Sequence, residues 1–218
     1  MLPAMAATET RLLVLGAVRL FEPVNGYQIR RELMSWEVDE WAHINPGSIY
    51  SSLSTLGKQG YVDRHDVVDG TREVAVYTCT ETGRTELAEL FGSSLETVRV
   101  LDPLPLHTAL GMCMLFGRDV VDGQLERRLP ALDAHLAALR EKHTSAASGL
   151  TPPHVVRVIE LQLATAEVER DWVARLLEEV RAGGLSFAGE PMSWQPAADD
   201  PGWQMHHDRL RYRRLLGR

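Results

Sequence analysis

The sequence has little of what marks several large functional classes. It has two cysteines, Cys79 and Cys113, in 218 residues. A lone pair without a C-x-x-C motif builds neither a disulfide framework nor a redox pair, so both are expected as small, reduced core residues. No apolar run approaches the ~20 residues that span a bilayer. The opening "MLPAMAATETR" has no basic n-region and no sustained apolar stretch, which predicts a chain without a signal peptide, in the cytoplasm. Aromatic residues make up only 6%. There is no surplus of positive charge either: the formal net charge is −7, which argues against non-specific binding of nucleic acid through charge alone. Enzyme signatures are missing too. There is no Walker loop, G-x-S-x-G, H-E-x-x-H or dinucleotide fingerprint, so no catalytic residue and no cofactor is expected. His206, His207 and Asp208 lie adjacent, but neighbouring histidines diverge on a helix and no further ligand follows at good spacing, so no metal is expected.

What is present is ordinary globular composition, 44% hydrophobic and 24% charged, in three parts. Residues 1–92 mix short helices with one hairpin, residues 93–184 are helical, and residues 185–218 form an extension rich in Pro, Gly, Asp and Trp that ends in a basic run. The first helix is the apolar "TRLLVLGAVRLF", Thr10 to Phe21, broken by "EPVNG". The second is "YQIRRELMSW", with Asn25 available as its N-cap.

The third helix lies in "INPGSIYSSLSTLGKQGYV" and has both ends marked. Asn45 caps it, Pro46 takes the first helical position, and Gly60 suits the left-handed position past its end. At 100° per residue Ile49, Ser52, Leu53 and Leu56 share one face. The other carries Gly47, Ser51, Ser54 and Lys58, with Ser48, Tyr50 and Thr55 beside them. Ser and Thr are mediocre helix formers, so stability alone would fill this face with Glu, Lys or Ala. Small hydroxylated side chains suit a helix that must sink into a DNA groove.

Two β-rich segments follow, "YVDRHDV" and "REVAVYTCT", joined through Asp69-Gly70, a strong hairpin signal. A fourth helix starts after Thr80, its expected N-cap. Three helices and a hairpin make a winged helix-turn-helix, whose third helix enters the major groove while the wing meets the backbone. The fold class expected is therefore mainly α with a small β-wing: an N-terminal winged helix-turn-helix plus a C-terminal helical dimerisation domain. The DNA-binding set expected is Gly47, Ser48, Tyr50, Ser51, Ser54 and Lys58 on the helix, with Arg64 and Arg72 of the wing.

At these residues the chain resembles the PadR family of transcriptional regulators. Gly26-Tyr27-Gln28-Ile29 matches its Gly-Tyr-x-Ile, and Pro46-Gly47-Ser48-Ile49-Tyr50 matches the opening of its recognition helix. Leu53, Leu56 and Gly60 match its Leu-x-x-Leu…Gly. Tyr77, Thr80, Glu81, Gly83 and Arg84 match its Tyr-x-x-Thr-Glu-x-Gly-Arg. The resemblance spans roughly residues 10–92 and implies an effector-responsive homodimeric repressor on a double-stranded operator, an inverted repeat read by two helices about one turn, or ~34 Å, apart. Where relatives carry Pro after the helix Tyr, this chain has Ser51, which frees an N–H. Residues 1–90 hold 8 Lys+Arg against 13 Asp+Glu, a net of −5. That acidity favours the alternative expectation of a winged-helix protein-interaction module that does not bind DNA.

In the second part, "DVVDGQLERRLPALDAHLAALREKH" repeats leucine at 125, 129, 132, 136 and 139, with Pro130 expected to kink or divide it. "PHVVRVIELQLATAEVERDWVARLLEEVRAGG" reads as one long helix ended by Gly183-Gly184. Val155, Ile159, Gln162, Ala166, Glu169, Val173, Leu176 and Val180 form a heptad seam. The dimer interface is expected on Val155, Ile159, Gln162, Ala166, Val173 and Leu176. A second apolar strip runs through Leu161, Val168 and Trp172, so two packing partners are expected, one in the chain and one in a second subunit. An effector pocket is expected around His107, Met112 and Trp172, with Met114 and Phe116 near. The tail arginines Arg209, Arg211, Arg213, Arg214 and Arg218 are candidates for phosphate contact or for pairing with acidic parts of the chain, and Trp194 and Trp203 for docking on the body.

Overall fold

The structure is a computed structural model that describes residues 3–147, 149–192, 195–200 and 202–217, with side chains from residue 8. Its N-terminal part runs α1 (Pro3–Phe21), β1 (Val24–Asn25), α2 (Gly26–Ser35), α3 (Val38–Trp41), α4 (Pro46–Lys58), β2 (Val62–Asp69), β3 (Arg72–Cys79) and α5 (Glu81–Glu96). The strands form one antiparallel sheet in the order β1-β3-β2, with Val24 opposite Tyr77 and Asp69 opposite Arg72. Then follow α6 (Leu104–Met112), a 3-10 turn, α7 (Arg118–Ala146), α8 (Pro153–Ala182) and α9 (Gly202–Leu215). The chain is therefore mainly α with a small β-wing. None of the described helices is long and apolar enough to cross a membrane.

The α1 helix is the centre of the N-terminal core. Leu12 to Val18 are buried, and the helix packs on α4, α5, α6 and β3. Helices α2 and α5 after it are capped by side chains at their starts. Asn25 and Gln28 form a reciprocal capping box on α2. Thr80 accepts from the N–H of Gly83 at the start of α5, and its hydroxyl donates to the Gly60 carbonyl, tying α5 to the end of α4. The wing turns at Gly70 with φ of 66°, in the left-handed region that favours glycine.

Several elements differ from expectation. β1 and α3 are short segments that the sequence pattern does not announce. Helix α5 runs through residue 92 and packs on α1, α6 and α7. Pro130 does not divide α7, which runs unbroken for 29 residues. The proline is exposed, so its ring points to solvent and water can reach the carbonyl that loses its partner. Helices α7 and α8 form the most extensive helix pair of the molecule. Leu125, Leu132, Leu136 and Leu139 of α7 are buried there, as are Ile159, Ala166, Val173, Leu177 and Val180 of α8. Inside this pair Arg128, only 1% exposed, donates to Glu169 of α8 and to the Leu95 and Thr97 carbonyls, so one side chain joins α5, α7 and α8.

This packing corrects the expected dimer interface. Ile159, Ala166 and Val173 are occupied by α7 of the same chain, with Gln162 and Leu176 half-buried along the same side and only Val155 exposed. The seam is intramolecular because its leucine-rich partner lies one short loop upstream. The second strip is the free one: Leu161 is 66% and Val168 69% exposed, with Val158 and Trp172 also exposed.

The extension after α8 is anchored at both ends. Arg118 donates to the Val180 and Leu185 carbonyls and to Glu190, and lies over the Phe187 ring. The expected docking by tryptophans differs in its residues. Trp203 is exposed and its N–H donates to Ala197, while Met205 and Tyr212 are the buried side chains of α9; Trp194 and Arg218 lie outside the described residues.

Candidate nucleic-acid interface

Helix α4 is built from its capped end. The Asn45 side chain accepts from the Ser48 N–H, and Pro46 occupies the first turn. Ile49, Leu53 and Leu56 are at most 1% exposed and fix the helix against α1 and α2. The opposite face meets solvent: Gly47, Tyr50, Ser51, Ser54, Thr55 and Lys58 are exposed and Ser48 is half-buried. Thr55 turns its hydroxyl back to the Ser51 carbonyl. The small hydroxyls of Ser48, Ser51 and Ser54 make no such bond among the described residues. The positive end of the helix and these small donors lie on one surface, a combination suited to phosphate and base edges.

Tyr50 has a second role that the sequence pattern does not reveal. Its ring edge lies so close to Gly26 that a Cβ there would sit 3.0 Å from Cε1. Gly26 therefore lets α2 approach the Tyr50 ring of α4, and Tyr50 remains 45% exposed. In the wing, Arg64 is bonded to Asp66 two residues on, at 2.8 and 3.0 Å, and this hydrogen bond keeps its guanidinium above the ordinary range. Arg64 must exchange Asp66 for a phosphate to act as expected. Arg72 is exposed at the wing turn.

A further group of residues joins this surface from the far end of the chain. On α9, the Tyr212 hydroxyl accepts from Asn25 at 2.9 Å and Asp208 accepts from Gln28 at 2.8 Å, both at the start of α2. Arg211 meets Asp69 at the wing turn at 2.9 Å. The inward spacing Met205, Asp208, Tyr212 is the helical signal that could have placed this segment.

The expected effector residues have different surroundings. His107 is exposed, Met112 is buried against Gly16 of α1, and Trp172 lies on the outer strip of α8. Met112 fills the room left by that glycine, where a Cβ would lie 2.4 Å from its sulfur. A cavity of about 400 Å³ opens elsewhere, between residues 99–102, His135 and Leu139 of α7, and Gln162 of α8. Among the described residues no group of three metal-ligating side chains occurs. Both thiols are raised by burial, Cys79 to about 11, which keeps them neutral.

Comparison with known proteins bears on this surface. No match was found among curated proteins. Solved structures with similarity include Bacillus subtilis PadR in complex with operator DNA, 20% identical over 78% of this chain and 98% of that one, with a TM-score of 0.33. The same protein in complex with p-coumaric acid is 18% identical over 79% and 97%, at 0.30. A PadR-like transcriptional regulator from Bacillus cereus is 20% identical over 78% and 94%, also at 0.30. Whole-chain scores this low carry no weight, and the assignment rests on the sequence match. Residues 14–89, which hold α2, α4 and the whole wing, match the family described as transcriptional regulator PadR-like. The winged helix-turn-helix of this chain is thus similar to that of the PadR-like transcriptional regulators, and the match does not extend to α6–α9.

Proposed function

We propose that the chain is a sequence-specific transcriptional repressor that binds an inverted-repeat operator as a cytoplasmic homodimer and releases it on binding a small effector. One observation carries this reading: the capped helix α4 buries Ile49, Leu53 and Leu56 while it turns a small, hydroxylated, nearly uncharged face to solvent. Gly47, Ser48, Tyr50, Ser51, Ser54 and Lys58 read the groove in this scheme, and Arg64 and Arg72 hold the flanking backbone. The free strip of α8, through Leu161, Val168 and Trp172, supports pairing with a second copy of residues 93–184. The opening among residues 99–102, His135, Leu139 and Gln162 is a second candidate place for an effector, beside the set His107, Met112 and Trp172.

The test is selection of duplexes from a random pool by the full-length protein at physiological salt, followed by gel shift against scrambled sequence. A selected duplex with half-sites one turn apart is expected. Equal affinity for selected and scrambled DNA overturns the reading, and capture of a protein partner alone favours the interaction module that the acidic balance of residues 1–90 suggests.

A further inference from the structure

We infer that α9 is a third DNA-contacting element, laid beside the wing to supply phosphate contacts that the acidic winged helix lacks. The inference rests on the DNA-binding reading and adds to it a surface formed by the C-terminal extension, beyond the residues 14–89 that match the PadR-like family.

Position comes first. Three contacts fix α9: Tyr212 on Asn25, Asp208 on Gln28, and Arg211 on Asp69. Asn25 precedes Gly26, against which Tyr50 of α4 is packed, and Asp69 is the last residue of β2 at the wing turn. The helix therefore joins the start of α2, beside the recognition helix, to the tip of the wing. Both neighbours belong to the surface that meets DNA in a winged helix.

Charge comes second. α9 carries Arg209, Arg211, Arg213 and Arg214 against the single Asp208, whereas residues 1–90 are net acidic. With Met205, Asp208 and Tyr212 turned inward, His207, Arg211 and Arg214 follow one another at steps of four and three along one flank. Arg211 fixes that flank as the wing side. Arg213 lies on the other flank, with His206. Arg214 and Arg213 are exposed and have no ion-pair partner among the described residues.

The pairing at the wing tip has a further effect. Asp69 and Arg72 face each other across the hairpin turn. No ion pair joins them among the described residues; Asp69 is taken by Arg211 instead. Arg211 is shared between this wing acid and Asp208 of its own helix, at 2.9 and 2.8 Å, and Arg72 keeps its guanidinium exposed for a phosphate.

The experiment uses full-length protein and a labelled duplex selected by it, with fluorescence anisotropy across a salt series. Replacing Arg214 by Ala should weaken binding several-fold at low salt, and adding Arg211→Ala, which strips Asp69 and Asp208 of their partner, should weaken it further. The pair should lower the slope of log Kd against log salt by about 0.9 for each phosphate that is no longer neutralised. Lys at both positions should restore most of the slope, and Arg213→Ala should leave it unchanged. Far-ultraviolet circular dichroism and the thermal midpoint check that each variant is folded. An unchanged slope, a loss with Arg213→Ala as large as with the pair, or tighter binding overturns the inference; the last would make α9 a cover over the site. If the wild-type chain selects no duplex, the DNA-binding reading fails with it. If it selects one, loses it with Tyr50→Ala and keeps it in the arginine pair, this inference alone fails.

Discussion

At the level of single residues, two positions show how tightly the interface scaffold is set. Gly83 opens α5, and a Cβ there would lie 2.0 Å from the Tyr61 carbonyl oxygen and 3.1 Å from the Cys79 sulfur. Backbone cannot give way as a flexible side chain would, so Gly83→Ala must shift α5 from the end of α4. Overpacking of this kind costs about 3 kcal/mol or more. At this chain length that corresponds to a fall of roughly 6–12 °C in thermal midpoint, measured by calorimetry. Glu9 is the opposite case, a carboxyl that the fold tolerates poorly. It is 4% exposed, and one of its oxygens has no partner among the described residues. Burial, with the charge of Asp102 adding, raises its pKa above the ordinary 4.5. A raised carboxyl pKa means that the folded state holds the proton more firmly than the unfolded one. Its contribution is full below about 4.5 and is lost as pH rises through the folded value. Glu9→Gln should therefore raise the urea midpoint at pH 8 and make no difference at pH 4. A loss at pH 8 would mean that the ionised carboxylate is satisfied.

Elements are legible in the sequence where their ends carry chemistry. Asn45 with Pro46 announces the start of α4, Thr80 the start of α5, Asp69-Gly70 the wing, and Gly183, with φ of 82°, the end of α8. The outward face of α4 is legible for the same reason, since a capped helix has a fixed phase. β1 is not, because a two-residue strand is defined by its partner and has no pattern of its own. α9 escapes the pattern because its inward face holds only Met205 and Tyr212 as buried apolar anchors, and its bonds to α2 and the wing are polar and distant in sequence. The α8 seam is legible as a face, but its occupant is not, since periodicity says which side packs and not against what. Pro130 belongs with these. The sequence makes it a helix breaker, yet packing of α7 on α8 carries the helix through it. The strain remains in the energy. Pro130→Ala restores one N–H to an exposed interior position and should stabilise the chain by about 1–3 kcal/mol, read as a rise in urea midpoint without loss of helix signal. A fall would show that the proline ring is packed.

At the scale of the whole molecule, the acidic winged helix makes the number of copies decisive. One domain brings one exposed lysine on α4 and a few arginines, of which Arg64 is already held by Asp66. Two domains on one duplex double the contacts, and the second engages at the effective concentration set by the first. The strip on α8 is the surface proposed for such pairing. Leu161, Val168 and Trp172 are exposed along a helix whose other face is sealed by α7, so a charge placed on the strip meets water in the monomer and apolar surface in a dimer. Leu161→Glu with Val168→Glu should therefore leave the thermal midpoint of a dilute sample within a few degrees, because no core residue is touched. The sedimentation coefficient should fall to that of a 24.3 kDa monomer. Operator affinity should drop by two or more orders of magnitude, within the usual range of an avidity gain. If the variant sediments as the wild type does, the copies meet elsewhere, and the strip needs another occupant. If it becomes monomeric but binds the operator as before, a single winged helix with its α9 arginines suffices, and the inverted-repeat scheme is wrong.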